Sequence, residues 1–365
     1  MGLQHTENDI LKGVNRGCTT EDAIKAIYLL KSTGFKVDAH LMPNLPNSSP
    51  ELDRKMLKRM STDSDLFVDQ IKVYPCEIVP FTKIEKWFRE GTYRPYPLND
   101  LMEVLIEFKA SIPSFVRLNR VVRDIPANYQ CASGVKTGSE HLLPTNWRNM
   151  VKDEMKKRRL TCKCIRCREV GSVGKVVGDP TFRCLPFEAS CAQEYFLSFE
   201  NSQNIFAFCR LRVPKLCDNT AVEIFPELSK SALVRELHVY GELVPRSQKK
   251  INERQVQHSG LGTKLLLEAE RIVKEHHPHC ERLCVISGIG VREFYRSLGW
   301  RNIDGGGQFL AKDISRPSSF LSVSFRLGLL SAFITMVSIG AFLHDNNGEQ
   351  TPLFYPIFEA WNDFS

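Results

Sequence analysis

Apolar residues recur first at helical spacing and then at strand spacing along the first 125 residues. Ala23, Ile27 and Leu30 follow Thr20, a good helix cap, and Gly34 comes after them as a natural stop, which predicts a helix. Phe35, Val37, Ala39 and Leu41 then alternate as a strand does. Pro43 and Pro46 bracket a loop, and a second helix is expected through Leu52, Met56 and Arg59. Further strands are expected at 68–74 and 115–121, and further helices at 83–89 and 101–109. Strand then helix, repeated, predicts parallel βαβ units. These units are too few for a closed eight-stranded barrel, and a half barrel leaves a sheet edge open. The pattern therefore implies a partner for that edge or further residues upstream.

The pattern changes twice more. Residues 146–178 are basic and cysteine-bearing and read as a connector. From about Thr181 an α+β pattern begins, with strands at 207–213, 232–240, 283–287 and 309–312, a helix at 262–276 and a short helix at 291–297. Leu327 to Leu343 then carries no charged residue, at the lower limit of length for a spanning helix. Extension back to Phe320 brings in Arg326, which near a helix end can reach the headgroups. A membrane helix at 320–343 and a short tail at 344–365 are expected, with a buried core helix as the other reading. Lys312 and Arg316 lie before this segment, and Asp345, Glu349, Glu359 and Asp363 after it. That asymmetry puts the preceding residues on the cytosolic side, tail-anchored to the mitochondrial outer membrane or endoplasmic reticulum; without the anchor the chain is expected in the cytoplasm.

Composition narrows this only a little. A formal charge of +7 leans weakly toward an anionic partner, RNA or a membrane surface. Its distribution says more, because Lys152, Lys156, Lys157, Arg158, Arg159, Lys163, Arg166 and Arg168 crowd one segment. Arg117, Arg120 and Arg123 extend the candidate phosphate-binding surface, with a solvated charged face as the plain alternative. The 12 cysteines accompany no apolar leader in residues 1–10, so reduced thiols and metal binding are expected over disulfides. Cys162, Cys164 and Cys167 are spaced Cys-x-Cys-x2-Cys, which suits tetrahedral zinc with a fourth ligand from elsewhere; Cys184, Cys131 and Cys76 are the candidates. Three free thiols are the alternative.

The sharpest chemical motif is Gln257-His258-Ser259-Gly260-Leu261-Gly262, between an expected strand and an expected helix. Glycines let backbone approach phosphates, and a helix N-terminus offers free N–H groups and partial positive charge. Downstream, Val291 to Trp300 includes Tyr295, a candidate proton donor to a leaving thiolate or simply a packed tyrosine. The strand Arg235 to Gly241 carries Glu236, a candidate general base or equally a structural carboxylate, and His238, first of all a strand histidine.

Strand, Gln-x-x-Gly-x-Gly and helix resemble the pyrophosphate loop of GNAT acetyltransferases. Arg235–Gly241, Gln257–Gly262 and Ile286–Tyr295 resemble the acetyltransferase domain of the Elongator catalytic subunit. Thr33–Asn47, Lys72-Val73-Tyr74-Pro75, Arg120–Pro126 and Arg168-Glu169-Val170-Gly171 resemble that family's radical-SAM barrel and the segment after it. The resemblance covers residues 1 to about 314. It implies an α/β fold: part of a radical-SAM barrel at 1–145, the connector at 146–180, and an α+β GNAT domain at 181–314. It implies an acyltransferase of tRNA processing that uses acetyl-CoA for carboxymethyl-type modification of the wobble uridine at C5. Glu236, Leu237, His238, Val239, Gln257, Gly260, Leu261, Gly262, Thr263 and Tyr295 would then meet acetyl-CoA. Lys156, Lys157, Arg158, Arg159, Arg117, Arg120 and Arg123 would meet tRNA. Other Elongator subunits and a second copy of the chain are the implied partners.

The family's iron–sulfur cluster and S-adenosylmethionine depend on a Cys-x9-Cys-x2-Cys motif that this sequence does not contain. Met1 to Gln4 reads as the end of a barrel strand, so an N-terminal part is expected to be missing and radical chemistry is not expected. Two other readings remain at this point: a GNAT enzyme acting on protein lysines, and an inactive membrane-tethered assembly subunit.

Overall fold

The Thr19 side chain accepts a hydrogen bond from Asp22 N–H, and the Asp22 carboxylate accepts one from Thr19 N–H. This reciprocal cap starts α2 (Thr20–Ser32) one residue earlier than the sequence pattern places it. In this computed structural model the described residues are 1–122, 146–170, 179–216, 218–240, 260–303 and 307–314. A short α1 (Asn8–Gly13) comes before α2. After it run β1 (Asp38–Leu41), α3 (Pro50–Thr62), β2 (Gln70–Val73), α4 (Lys83–Arg89), α5 (Leu98–Ser111) and β3 (Arg117–Val121). The three strands form one parallel sheet in the order β1-β2-β3. Met1 to Gln4 lie along the free edge of β1: Gln4 N–H donates to His40 O at 2.7 Å and Met42 N–H to Gln4 O at 2.8 Å. The sheet alternates buried Ala39, Leu41, Ile71 and Val73 with half-buried Asp38, His40, Gln70 and Lys72. The apolar set packs with the helices, including Ile27, Met56 and Leu105.

The connector is packed, not loose. Its helix α6 (Trp147–Lys157) buries Trp147, Val151 and Met155 at four-residue steps. The following turn, α7 (Ile165–Arg168), is tied to the third strand's approach through Ile165 N–H to Val116 O at 3.0 Å.

The second sheet has seven strands in the order β4-β5-β6-β7-β8-β10-β9. They are β4 (Thr181–Ala189), β5 (Ala192–Glu200), β6 (Ile205–Pro214), β7 (Ser231–Val239), β8 (Arg282–Ile286), β9 (Arg301–Asn302) and β10 (Phe309–Asp313). Between them come α8 (Thr220–Ile224), α9 (Leu261–His276) and α10 (Arg292–Arg296). All pairings are antiparallel except β7 with β8.

An ionic seam joins the two sheets. Arg235 is the extra residue of a bulge on β7, since Arg210 pairs with Glu236 and Leu211 with Val234. Its fully buried guanidinium meets Asp69, just before β2, and Glu194 of β5. Glu194 also binds Lys31 of α2 and Arg212 of β6, each at 3.0 Å. Arg210 reaches Glu236 at 2.9 Å and Asp69 at 3.6 Å. All these contacts lie at the N-terminal ends of the parallel strands. Buried charges are tolerated only when paired in this way. Residues 1–314 accordingly form one compact unit.

Among the described residues no helix is long and apolar enough to cross a membrane. The span expected at 320–343 lies outside the described residues.

Candidate active site

The cleft begins where two strands part. β7 and β8 are paired only from Ser231/Arg282 to Val234/Val285. Beyond that point Glu236 to Val239 stay paired with β6 on one edge. On the other edge Glu236 to His238 have no strand partner among the described residues. α9 starts at this opening. Gly260, its cap, sits at φ 73, a left-handed conformation that suits glycine, and among the described residues no side chain caps the helix. Its first N–H groups are therefore free to face an anion. Gly262 permits close approach: a Cβ there would lie 3.4 Å from Val239, 3.7 Å from Phe294 and 3.8 Å from Leu237. The strand edge, the helix start and α10 thus converge on Gly262. Leu261 is buried and Thr263 half-buried beside it. Gln257 lies outside the described residues. The Ser287 hydroxyl, just past the end of β8, is shielded from solvent and has no hydrogen-bond partner among the described residues.

Glu236 is occupied by cations. Lys36, from the loop before β1, binds one oxygen at 2.9 Å, and Arg210 the other at 2.9 Å. Burial alone would raise its carboxyl pKa, but Arg210 and Lys36 outweigh burial and hold it below the usual range. Such a carboxylate is a poor proton acceptor near neutrality, so the structural alternative fits its surroundings better than the general base does. His238 is exposed, with its ring 4.3 Å from that of Tyr240. Tyr295 is buried on α10, its ring edge-on to Trp300 at 5.4 Å. Burial pushes its phenol up, so it stays protonated at working pH.

The basic residues divide. Arg117 is not on an open surface: its guanidinium pairs with Glu169 and donates to the Tyr240 hydroxyl at 2.8 Å, tying sheet, connector and β7 together. Arg158 forks onto Glu103, and Lys157 lies 3.4 Å from Glu154. Lys156, Arg159 and Arg120 are exposed. Arg123 lies outside the described residues. The sequence pattern missed the roles of Lys36, Arg210 and Tyr240, because each acts on a residue distant in the chain.

The sulfurs of Cys162, Cys164 and Cys167 lie within 4.8 Å of one another. Hydrogen bonds with Cys162, then Cys164, pull the Cys167 thiol down, and hydrogen bonds with Cys164, then Cys167, push Cys162 up. Neither Cys184, exposed on β4, nor Cys76, buried with Ile10 and Leu45, joins them. Cys131 lies outside the described residues. Three thiols fit one zinc ion as three of its four ligands. They do not fit a radical-SAM cluster, because the spacing differs and they sit at the N-terminal end of β3, away from the strand C-termini where barrel chemistry occurs.

Residues 68–157 match the Radical_SAM C-terminal domain family. The chain is 38% identical over 309 residues to the tRNA uridine(34) acetyltransferase of Dehalococcoides mccartyi, covering 84% of this chain and 64% of that protein. A solved structure of the archaeal Methanocaldococcus infernus Elp3 with an N-terminal deletion (1–46) superposes with a TM-score of 0.73 at 38% identity, covering 86% of this chain and 71% of that one. The chain belongs to the Elp3 family. Elongator complex protein 3 of Saccharomyces cerevisiae is a further relative, at 34% identity over 84% of this chain and 53% of the yeast protein. The chain thus spans little more than half the length of several curated Elp3 relatives it matches.

Proposed function

We propose that this chain is the acetyl-CoA-dependent catalytic subunit of a tRNA wobble-uridine modification, carboxymethyl-type at C5. The observation that carries this is the cleft between the parted β7 and β8, closed at one end by the start of α9 at Gly260. In this reading the pyrophosphate lies against the N–H groups of Leu261 to Thr263, and the stretch Glu236 to Val239, beyond the last pairing of β7 with β8, receives the acetyl-pantetheine end. Ser287 supplies a hydroxyl in need of a partner. Tyr295 remains protonated and can hold or protonate the departing sulfur. Lys36 and Arg210 hold Glu236 ionised, so that it orients the strand. Lys156, Arg159 and Arg120 would meet RNA phosphates. Other Elongator subunits and a second copy of the chain are partners by family membership.

Acetyl-CoA hydrolysis measured with and without tRNA tests this reading. Stimulation by tRNA is expected; acetyl transfer to protein lysines without any response to tRNA would replace it with the lysine acetyltransferase reading. S-adenosylmethionine and its cluster belong to the radical chemistry of the family. The residues present do not fit them. The tail-anchor reading of residues 320–343 predicts that the chain stays with membranes under alkaline carbonate extraction.

Zinc at Cys162, Cys164 and Cys167 yields a separate expectation. Native protein should carry about one zinc per chain by elemental analysis, in keeping with a single tetrahedral site. Cys164→Ser should lose it and melt at a lower temperature, because metal binding is coupled to folding. Zinc-free native protein with three freely titrating thiols would rule the site out.

A further inference from the structure

We propose that Phe81 is a stacking platform for an unpaired base of the RNA, an inference that rests on the tRNA reading above. Two features of this residue are individually unfavourable. Its side chain is fully exposed, at 101% of the free-residue value. Its backbone stands at φ 65, a left-handed conformation that glycine adopts freely and a residue with a Cβ does not.

The loop that holds the ring is built, not loose. Phe81 N–H donates to the Glu85 carboxylate at 2.6 Å, and Arg89 binds the other oxygen of that group at 2.6 Å. The Thr82 hydroxyl donates to Val79 O at 2.6 Å and accepts from Glu85 N–H at 3.3 Å, which caps α4. The ring is therefore presented to solvent by a fixed turn.

Position and charge identify the occupant. The loop joins the C-terminal end of β2 to α4, and in βα folds the loops at the strand C-termini face the substrate. Four exposed cations lie within this short stretch: Lys83 and Arg94, with Lys86 paired to Glu90 at 3.7 Å and Arg89 to Glu85 at 2.6 Å. Lys83 lies over the Trp87 ring at 5.6 Å and Arg94 over Phe88 at 5.1 Å, rather than against carboxylates. An exposed aromatic among solvent-facing cations is how proteins hold single-stranded nucleic acid: the cations follow the backbone and the ring stacks a base without reading its identity. A tRNA anticodon loop offers both.

The test is the affinity of the full chain for a labelled anticodon stem-loop at fixed salt, with acetyl-CoA affinity and melting temperature measured alongside. Phe81→Gly should weaken RNA binding about 10-fold, within the range for loss of one stacked base. It should leave acetyl-CoA affinity unchanged and keep or raise the melting temperature, since it removes the strained backbone. Phe81→Trp should bind RNA as well as the parent. Unchanged RNA affinity in Phe81→Gly overturns the proposal, as does equal loss in Phe81→Trp. If the ring instead governs binding to anionic vesicles and not to RNA, the proposal is likewise overturned. A parent chain that binds acetyl-CoA but no RNA sinks the tRNA reading itself, and the stacking proposal with it.

Discussion

Thr263→Glu is expected to weaken acetyl-CoA binding by at least about 100-fold while leaving the fold intact. Thr263 is the third residue of α9 and half-exposed, so the longer side chain has room. A carboxylate in the first turn of a helix is favourable, by roughly 0.3–1 kcal/mol. The same carboxylate would stand where the pyrophosphate of the ligand is proposed to lie. Two like charges about 4 Å apart near a protein surface repel by roughly 4 kcal/mol, more than the 2.8 kcal/mol or so that a 100-fold change requires. Calorimetric titration with acetyl-CoA and a thermal melt separate the two effects. Wild-type affinity in a variant of unchanged stability would place the phosphates elsewhere.

Asp69→Ala is expected to lower unfolding free energy by about 3–5 kcal/mol, the usual result of removing one partner from a buried ion pair. Asp69 is buried between Arg235 and Arg210, and its loss leaves both with Lys31 nearby and fewer counter-charges. Burial opposes its ionisation, but Arg235, then Arg210 and Lys31, overcome burial and hold its pKa well below the usual range. The sign follows from that depression. The stabilisation is complete above the unfolded pKa, about 3.9, and is lost as pH falls through the lower folded value. Urea unfolding of Asp69→Asn and parent should therefore differ most near neutrality and converge in acid. A difference under about 1 kcal/mol at pH 7 would show that the seam is not needed for stability.

Much of the frame was legible because its signals are local. Ala23 and Ile27, the alternation from Val37 to Leu41, and the glycines before α9 each announce their element within a few residues. The Cys162–Cys164–Cys167 spacing placed three sulfurs together before any fold was known. Other parts leave no local trace. β4 is exposed along most of its length, so it shows no alternation to read. α6 does carry a local signal, Trp147, Val151 and Met155 at helical spacing, but the basic and cysteine-bearing stretch around it reads as a connector. Nothing in the sequence marks Lys31, Asp69 and Arg235 as buried, because charged side chains seldom are and their partners lie far away in sequence. For Glu236 the sequence leaves general base and structural carboxylate equally open, and only Lys36 and Arg210 beside it decide between them.

The seam also bears on how such a protein can change by recombination. Lys31 of α2 and Asp69, just before β2, come to it from the part before the connector, while the second sheet contributes Glu194, Arg210, Arg212, Arg235 and Glu236. A crossover in the connector would join halves whose buried charges had not been selected together. Such a chimera succeeds only when the incoming half brings a matching pattern of signs, whatever the quality of its own cleft.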